Sequence, residues 1–251
     1  MEVVILFKAE VMLHSPNYIH FRNQWQTLGL HSVGLWPDRS AFQEFMNEIN
    51  KAAINADFDD FSYRAARCEM GKLRGGPPEG GRAFSKLVCL PRQITLVEEW
   101  AEISGDEFKS KFIKILKAWF KVFPNTAIIA QKCCLRALVQ PASFDDSRSF
   151  LGDRIMHIGK SMNETFKSMP FKVGFTFTCL RKTQDYDLFI DTTVNSWRDN
   201  RRVWVQVEGT YPMEKPINAA NPEVAKFPFE DCKNFLEKEV ISFLNQFDVS
   251  D

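Results

Sequence analysis

No stretch of this sequence stays apolar for the ~20 residues that a membrane-spanning helix requires. The opening, MEVVILFKAEV, has no basic leader, carries Glu2, and its apolar run from Val3 to Phe7 is too short for a secretory signal. A cytoplasmic location and no membrane partner are therefore expected. There is no excess of charge of either sign: Lys plus Arg is 32 and Asp plus Glu is 32. The whole molecule thus exerts no field that would draw it onto a polyanion, which leaves only local patches for nucleic acid. Histidine is scarce, with 4 copies, and the six cysteines (Cys68, Cys89, Cys133, Cys134, Cys179, Cys232) form no C-x-x-C pair. Their spacing fits neither a zinc site nor a disulfide framework, so reduced thiols, no metal and no cofactor are expected. The adjacent Cys133 and Cys134 point to opposite sides of a strand and cannot share one metal.

The phosphate-loop pattern G-x-x-x-x-G-K-[ST] is also missing. The stretch KLRGGPPEGGRAF at 72–84 resembles such a loop only in its glycines. A phosphate cradle is made of consecutive backbone N–H groups leading into a helix. Here Pro77 and Pro78 stand at the centre and have no N–H to give, and the residues that follow read as a strand. Gly75, Gly76, Gly80 and Gly81 are accordingly expected to form a flexible hairpin connection, with Arg74 and Arg82 beside it.

What the chain does have is patterned apolar volume. Its 251 residues are 45% hydrophobic and include 23 phenylalanines, most at core-like positions. Residues 3–13 alternate with period two and read as a strand. Ser15 and Pro16 look like a helix start, with Tyr18, Phe21, Trp25 and Leu28 following at helical spacing. A second helix is predicted over 39–54 from Phe42, Phe45, Met46, Ile49 and Ala53, and three strands near 61–70, 83–90 and 93–100. Residues 104–123 carry a Ser104-x-x-Glu107 capping box and an apolar stripe from Phe108 to Phe123. Residues 126–140 alternate, with Cys133, Leu135, Ala137 and Val139 on one side and Lys132 and Arg136 on the other. A helix containing Gly152 and Gly159 is read over 145–167. Three strands follow, burying Phe171, Val173, Phe175, Phe177 and Cys179, then Tyr186, Leu188, Ile190 and Val194, then Val203, Val205 and Val207. A last helix covers 229–247.

These elements predict an α+β fold: antiparallel sheet with helices packed on one face, in one globular domain over 1–251. The patterning also admits two pseudo-repeated halves, 1–103 and 104–251.

Candidate sites are few, and no catalytic residue is assigned. Asp146, Asp153, His157 and Glu164 would line one stripe of the 145–167 helix, opposite its apolar side, which is where a solvated face belongs. Asp185, Asp187 and Asp191 share one strand face and could bind a cation or act as acids and bases, or simply be the wet side of the sheet. The turn SWRDNRRVW is the strongest surface feature: Trp197, Arg198, Arg201, Arg202 and Trp204 surround an Asp199-Asn200 hairpin turn. Arg and Trp are enriched at protein hot spots and also stack on single-stranded bases.

The order of LVEEWAEISGDEF, CCLRALVQP, FKVGFTFTCL, YDLFIDTTV, RRVWVQVEG and CKNFLEKEVISFL, over about 93–247, resembles a family of uncharacterised, sporadically distributed bacterial proteins of similar length. The resemblance brings no established activity and no functional residues. Its patchy distribution implies genes carried in mobile or defence-associated loci, CRISPR-type ones included. The expected role is a non-enzymatic adaptor or regulatory subunit that binds another protein. The alternatives are a small-ligand or metal-dependent enzyme using the acidic sheet face, and a single-strand nucleic-acid binder using the Arg/Trp hairpin.

Overall fold

Alternation governs residues 17–28: Ile19, Phe21, Asn23, Trp25 and Thr27 are buried while Arg22, Gln24, Gln26 and Leu28 reach solvent. Period two makes this segment a strand, β1 (Asn17–Leu28), not the helix expected there. Phe21 and Trp25 are four residues apart, a spacing that puts them on one face of a helix and of a strand alike. Asn23 and Thr27, polar yet buried on that face, hid the alternation. The structure, a computed structural model, describes residues 16–28, 37–54, 58–64, 66–73, 82–100, 103–168, 170–182 and 187–248. The strand expected at 3–13, the glycine loop Gly75, Gly76, Gly80 and Gly81, and Asp185 and Tyr186 lie outside these residues.

The helix α1 (Arg39–Ile49) is capped by Asp38, whose carboxylate accepts from the Ala41 N–H, and a wider helical turn continues it over 50–54. The single strand expected near 61–70 is two, β2 (Asp60–Arg64) and β3 (Arg67–Leu73), joined through Ala66 at φ 60°. Then come β4 (Phe84–Leu90), β5 (Gln93–Glu99) and the long helix α2 (Gly105–Val122). The capping box at its start forms as expected: the Ser104 hydroxyl accepts from the Glu107 N–H, and the Glu107 carboxylate accepts from the Ser104 N–H at 2.7 Å.

After β6 (Ala127–Val139), the helix expected over 145–167 is broken. A short turn α3 (Ser147–Ser149) widens over 150–155, and α4 (Gly159–Phe166) starts afresh after His157, which sits in the left-handed region at φ 55°. A Cβ on Gly159 would lie 1.8 Å from the Asp153 carboxylate, so the glycine admits that side chain at the break. The break also splits the polar stripe. Asp146 accepts from the Arg148 backbone and pairs with its guanidinium, while Glu164 faces Lys160 at 4.0 Å in solvent.

The three closing strands are β7 (Gly174–Lys182), β8 (Asp187–Ser196) and β9 (Val203–Ile217). Phe171 precedes the first of them and is 85% exposed, against expectation, because pairing begins only at Gly174. The C-terminal helix runs as α5 (Lys226–Asn234), a wider turn over 235–240, and α6 (Ile241–Asn245).

Among the described residues nine strands join one antiparallel sheet in the order β2-β3-β4-β5-β1-β6-β9-β8-β7. The strands β1 and β6 meet at its centre, with Asn23 opposite Cys133. Four strands flank them on one side and three on the other, and the arrangement does not establish the pseudo-repeat. The helices pack on one face. Phe21 of β1 stacks on Phe108 of α2 at 5.0 Å, Trp25 meets Phe112 at 5.8 Å, and Phe108 meets Phe229 of α5 at 5.5 Å. Each such aromatic contributes roughly 1.5–3 kcal/mol by leaving water. Trp119 is fully buried and its indole N–H donates to Thr126 Oγ1 at 2.9 Å.

A fully buried charged contact lies within this apolar layer. Lys111 of α2 reaches Glu98 of β5 at 2.5 Å and Ser85 of β4 at 2.7 Å, and all three are buried. Changing Lys111 to Met removes the ammonium that reaches the buried Glu98 carboxylate and is expected to cost about 3–5 kcal/mol. Changing Glu98 to Leu as well should recover most of that loss, as read from urea unfolding of the single and double variants. A single variant within 1 kcal/mol of wild type, as an order-of-magnitude limit, would show that the contact holds nothing.

Candidate functional site on the second sheet face

Side chains alternate, so each strand that turns one residue to the helices turns the next to the other face. On that second face the register assembles a polar centre from β5, β1, β6 and β9. His20 pairs across to Glu99 and to Arg136, Arg22 to Cys134, and Cys134 and Arg136 in turn to Glu208 and Gln206. The Glu208 carboxylate receives Arg22 Nη2 at 2.6 Å and Lys132 Nζ at 2.6 Å. Arg136 Nε donates to Gln206 Oε1 at 2.7 Å, and its guanidinium lies 5.9 Å from the Trp204 ring. Cys134 is buried beneath this network, and burial pushes its thiol up to about 11. Cys68 is pushed up to about 12 for the same reason, and burial likewise raises Cys89, Cys133 and Cys232. None of these five offers a thiolate nucleophile near neutral pH, and no two of the six cysteines are joined.

The predicted Arg/Trp hairpin stands at one end of this face. Trp197 continues the second-face row of β8, where Asn195 pairs with Trp204 of β9. The Trp197 ring meets Trp100 edge to face at 6.2 Å and carries the Arg198 guanidinium at 5.0 Å. Trp100 reaches it from the end of β5 through a backbone at φ 51°. The turn is locked by Asp199, which accepts from the N–H groups of Arg201 and Arg202 and from Arg202 Nε at 2.6 Å. Asn200 supplies the left-handed residue, at φ 58°. So the five predicted residues separate: Trp197 and Arg198 pack with Trp100, Trp204 lies beside Arg136 instead, Arg202 is turned to Asp199, and Arg201 is exposed. Sequence reasoning missed Trp100, His20, Arg22 and Gln206. Only Lys132 and Arg136 had been legible as a polar side of their strand.

Of the acidic row, the two described members do not converge. Asp187 and Asp191 lie on the second face with the half-exposed Phe189 between them, and four strand residues span ~13 Å, too far to share a cation. Asp191 instead accepts from Thr178 Oγ1 at 2.6 Å. Among the described residues no group of three His, Cys, Asp or Glu side chains could hold a metal.

A cleft of 640 Å³ lies between β9 and the start of α5, with Met213, Phe227 and Pro228 in its walls. Its inner polar groups satisfy one another. Tyr211 Oη donates to Asp231 at 3.0 Å, and Arg181 Nη1 binds the other oxygen of Asp231 at 2.8 Å. Gly209 has no Cβ because the Tyr211 ring fills that space.

No family model matches this chain, and neither a curated protein nor a solved structure matches it.

His20 gives the face a measurable pH response. Its Nδ1 lies 2.6 Å from Glu99 Oε2, and only 4% of the residue is exposed. Burial lowers its pKa from the ordinary 6.5 and outweighs the carboxylate, which acts in the opposite direction. The unfolded chain therefore takes up this proton first as pH falls. The contribution is fully present above pH 6.5 and is lost as pH drops from there through the lower folded value. The slope of unfolding free energy against pH between 7 and 5 is expected to flatten in His20→Gln; an unchanged slope would remove His20 as its source.

Proposed function

We propose that the protein is a non-enzymatic binding module, an adaptor or regulatory subunit, which engages a protein partner through the second face of its sheet. The observation that carries this reading is the Trp100–Trp197 pair with Arg198 on the Trp197 ring, together with Arg136 beside Trp204 on the same face. Rigid aromatics and arginines with apolar stems are the side chains that dominate protein hot spots. The polar centre beside them would form the rim, where paired charges set register more than affinity. The resemblance noted above adds an accessory role in mobile or defence-associated loci to this proposal.

Two observations weigh against the alternatives. Stacking on single-stranded bases needs open aromatic faces. The Trp197 ring already carries Arg198 and abuts Trp100, and Arg136 stands near Trp204. An acid–base or metal mechanism on the acidic row needs convergent carboxylates, and Asp187 and Asp191 do not converge.

Tagged wild-type protein, exposed to lysate of its source cells, is expected to retain a discrete set of proteins. The double variant Trp197→Ala, Arg198→Ala should lose that set while keeping its far-ultraviolet circular dichroism. Retention that the variant does not change would place the contact elsewhere. Capture of nucleic acid in place of protein, weakened steeply by salt, would favour the single-strand alternative.

A further inference from the structure

The two edges of the sheet are built differently. The edge strand β2 has five residues and a charge at each end, Asp60 and Arg64. The edge strand β7 has nine, and the seven from Gly174 to Leu180 hold no charge and no proline. Among the described residues no strand pairs with its outer side. Edge strands usually carry charge, proline or a bulge to discourage pairing, and a long uncharged edge invites it. The side chains fit the same reading. Phe175 and Phe177 point to the helix layer yet stay only half-buried, stacked on each other at 6.1 Å, because no neighbouring strand covers their outer side. Phe171, just before the strand, is 85% exposed.

The ends of this run identify what it accepts. Beyond Val173 and the paired Arg181, Lys172 and Lys182 bracket it; both are exposed and without an ion pair among the described residues, and Lys182 stands across the ladder from Asp187 of β8. An antiparallel second copy, centred on Phe177, would set Lys172 against Lys182 at both ends. Like charges directly opposite across a ladder destabilise it. A strand with an acidic residue at each end meets the same two lysines favourably.

We infer that β7 is a docking edge for strand addition by a protein partner, whose segment is extended, alternately apolar and acidic at both ends. Backbone hydrogen bonds along the outer side of β7 supply the contact, apolar residues cover Phe175 and Phe177, and the lysines select the ends. This goes beyond the hairpin reading and does not depend on it, since it uses a different surface.

The test uses a blocked ten-residue peptide of alternating valine and threonine with glutamate at both ends. Controls are the same peptide with lysine ends and one N-methylated at every second residue. Amide hydrogen exchange of the full chain, followed by nuclear magnetic resonance, is expected to slow about tenfold at alternate β7 residues with the glutamate peptide only. In the double variant Lys172→Glu, Lys182→Glu the preference should reverse to the lysine-ended peptide. Absence of protection in β7, or equal protection by both charged peptides, would overturn the proposal. Protection that grows with protein concentration and needs no peptide would make a second copy the occupant and overturn it as well.

Discussion

The pairing of β1 with β6 at the centre of the sheet is the constraint on which the rest depends. Because side chains alternate, this one register decides which residue of every strand meets the helices and which meets the other side. On one side it aligns Phe21 and Trp25 beneath α2, and the aromatic layer of Phe108, Phe112 and Phe229 closes over them. On the other it sets His20 and Arg22 beside Arg136 and Cys134. A slip of one residue would exchange the two sets, burying arginine under α2 and presenting tryptophan to water. The stability of the core and the chemistry of the second face are thus fixed by the same hydrogen-bond ladder.

Most of the core was legible because it is written in local periods. Val203, Val205 and Val207 are buried as the alternation requires, and the Ser104–Glu107 box starts α2 where the sequence places it. The failures are equally physical. Phe21 and Trp25 satisfy both periods, so spacing alone could not separate helix from strand, and tertiary pairing with two neighbours decided it. The break at His157 was unreadable because apolar residues keep helical spacing on both sides of it, while the strain is held by one left-handed residue. Phe171 looked like a strand position, but burial of an aromatic depends on whether the ladder reaches it, and this one begins three residues later.

The site was less legible than the core, for a different reason. Trp197, Arg198 and Trp204 are close in sequence and were found. Trp100, Arg136 and His20 come from three other strands, and only the sheet order brings them to the same face. Nothing local marks Trp100, which reaches Trp197 only because its backbone takes an uncommon conformation at the end of β5. Even within the hairpin, proximity in sequence misled. Arg202 looked like part of the cluster but serves the turn, held by Asp199.

The hairpin and the outer edge of the sheet are also less separate than their positions in the chain imply. Gly174, at the start of β7, pairs with Asn195 of β8, two residues before Trp197. A Cβ on Gly174 would meet the Asn195 side chain at 2.1 Å, so the glycine is what lets the ladder run unbroken to that end. A strand added outside β7 would lie two strand spacings from β8, about 10 Å. Side chains from its end at Gly174 would then come within reach of Trp197 and Arg198. A single partner could use backbone pairing for affinity and the aromatic cluster for recognition, and the two contacts would reinforce each other because both are held by one rigid sheet.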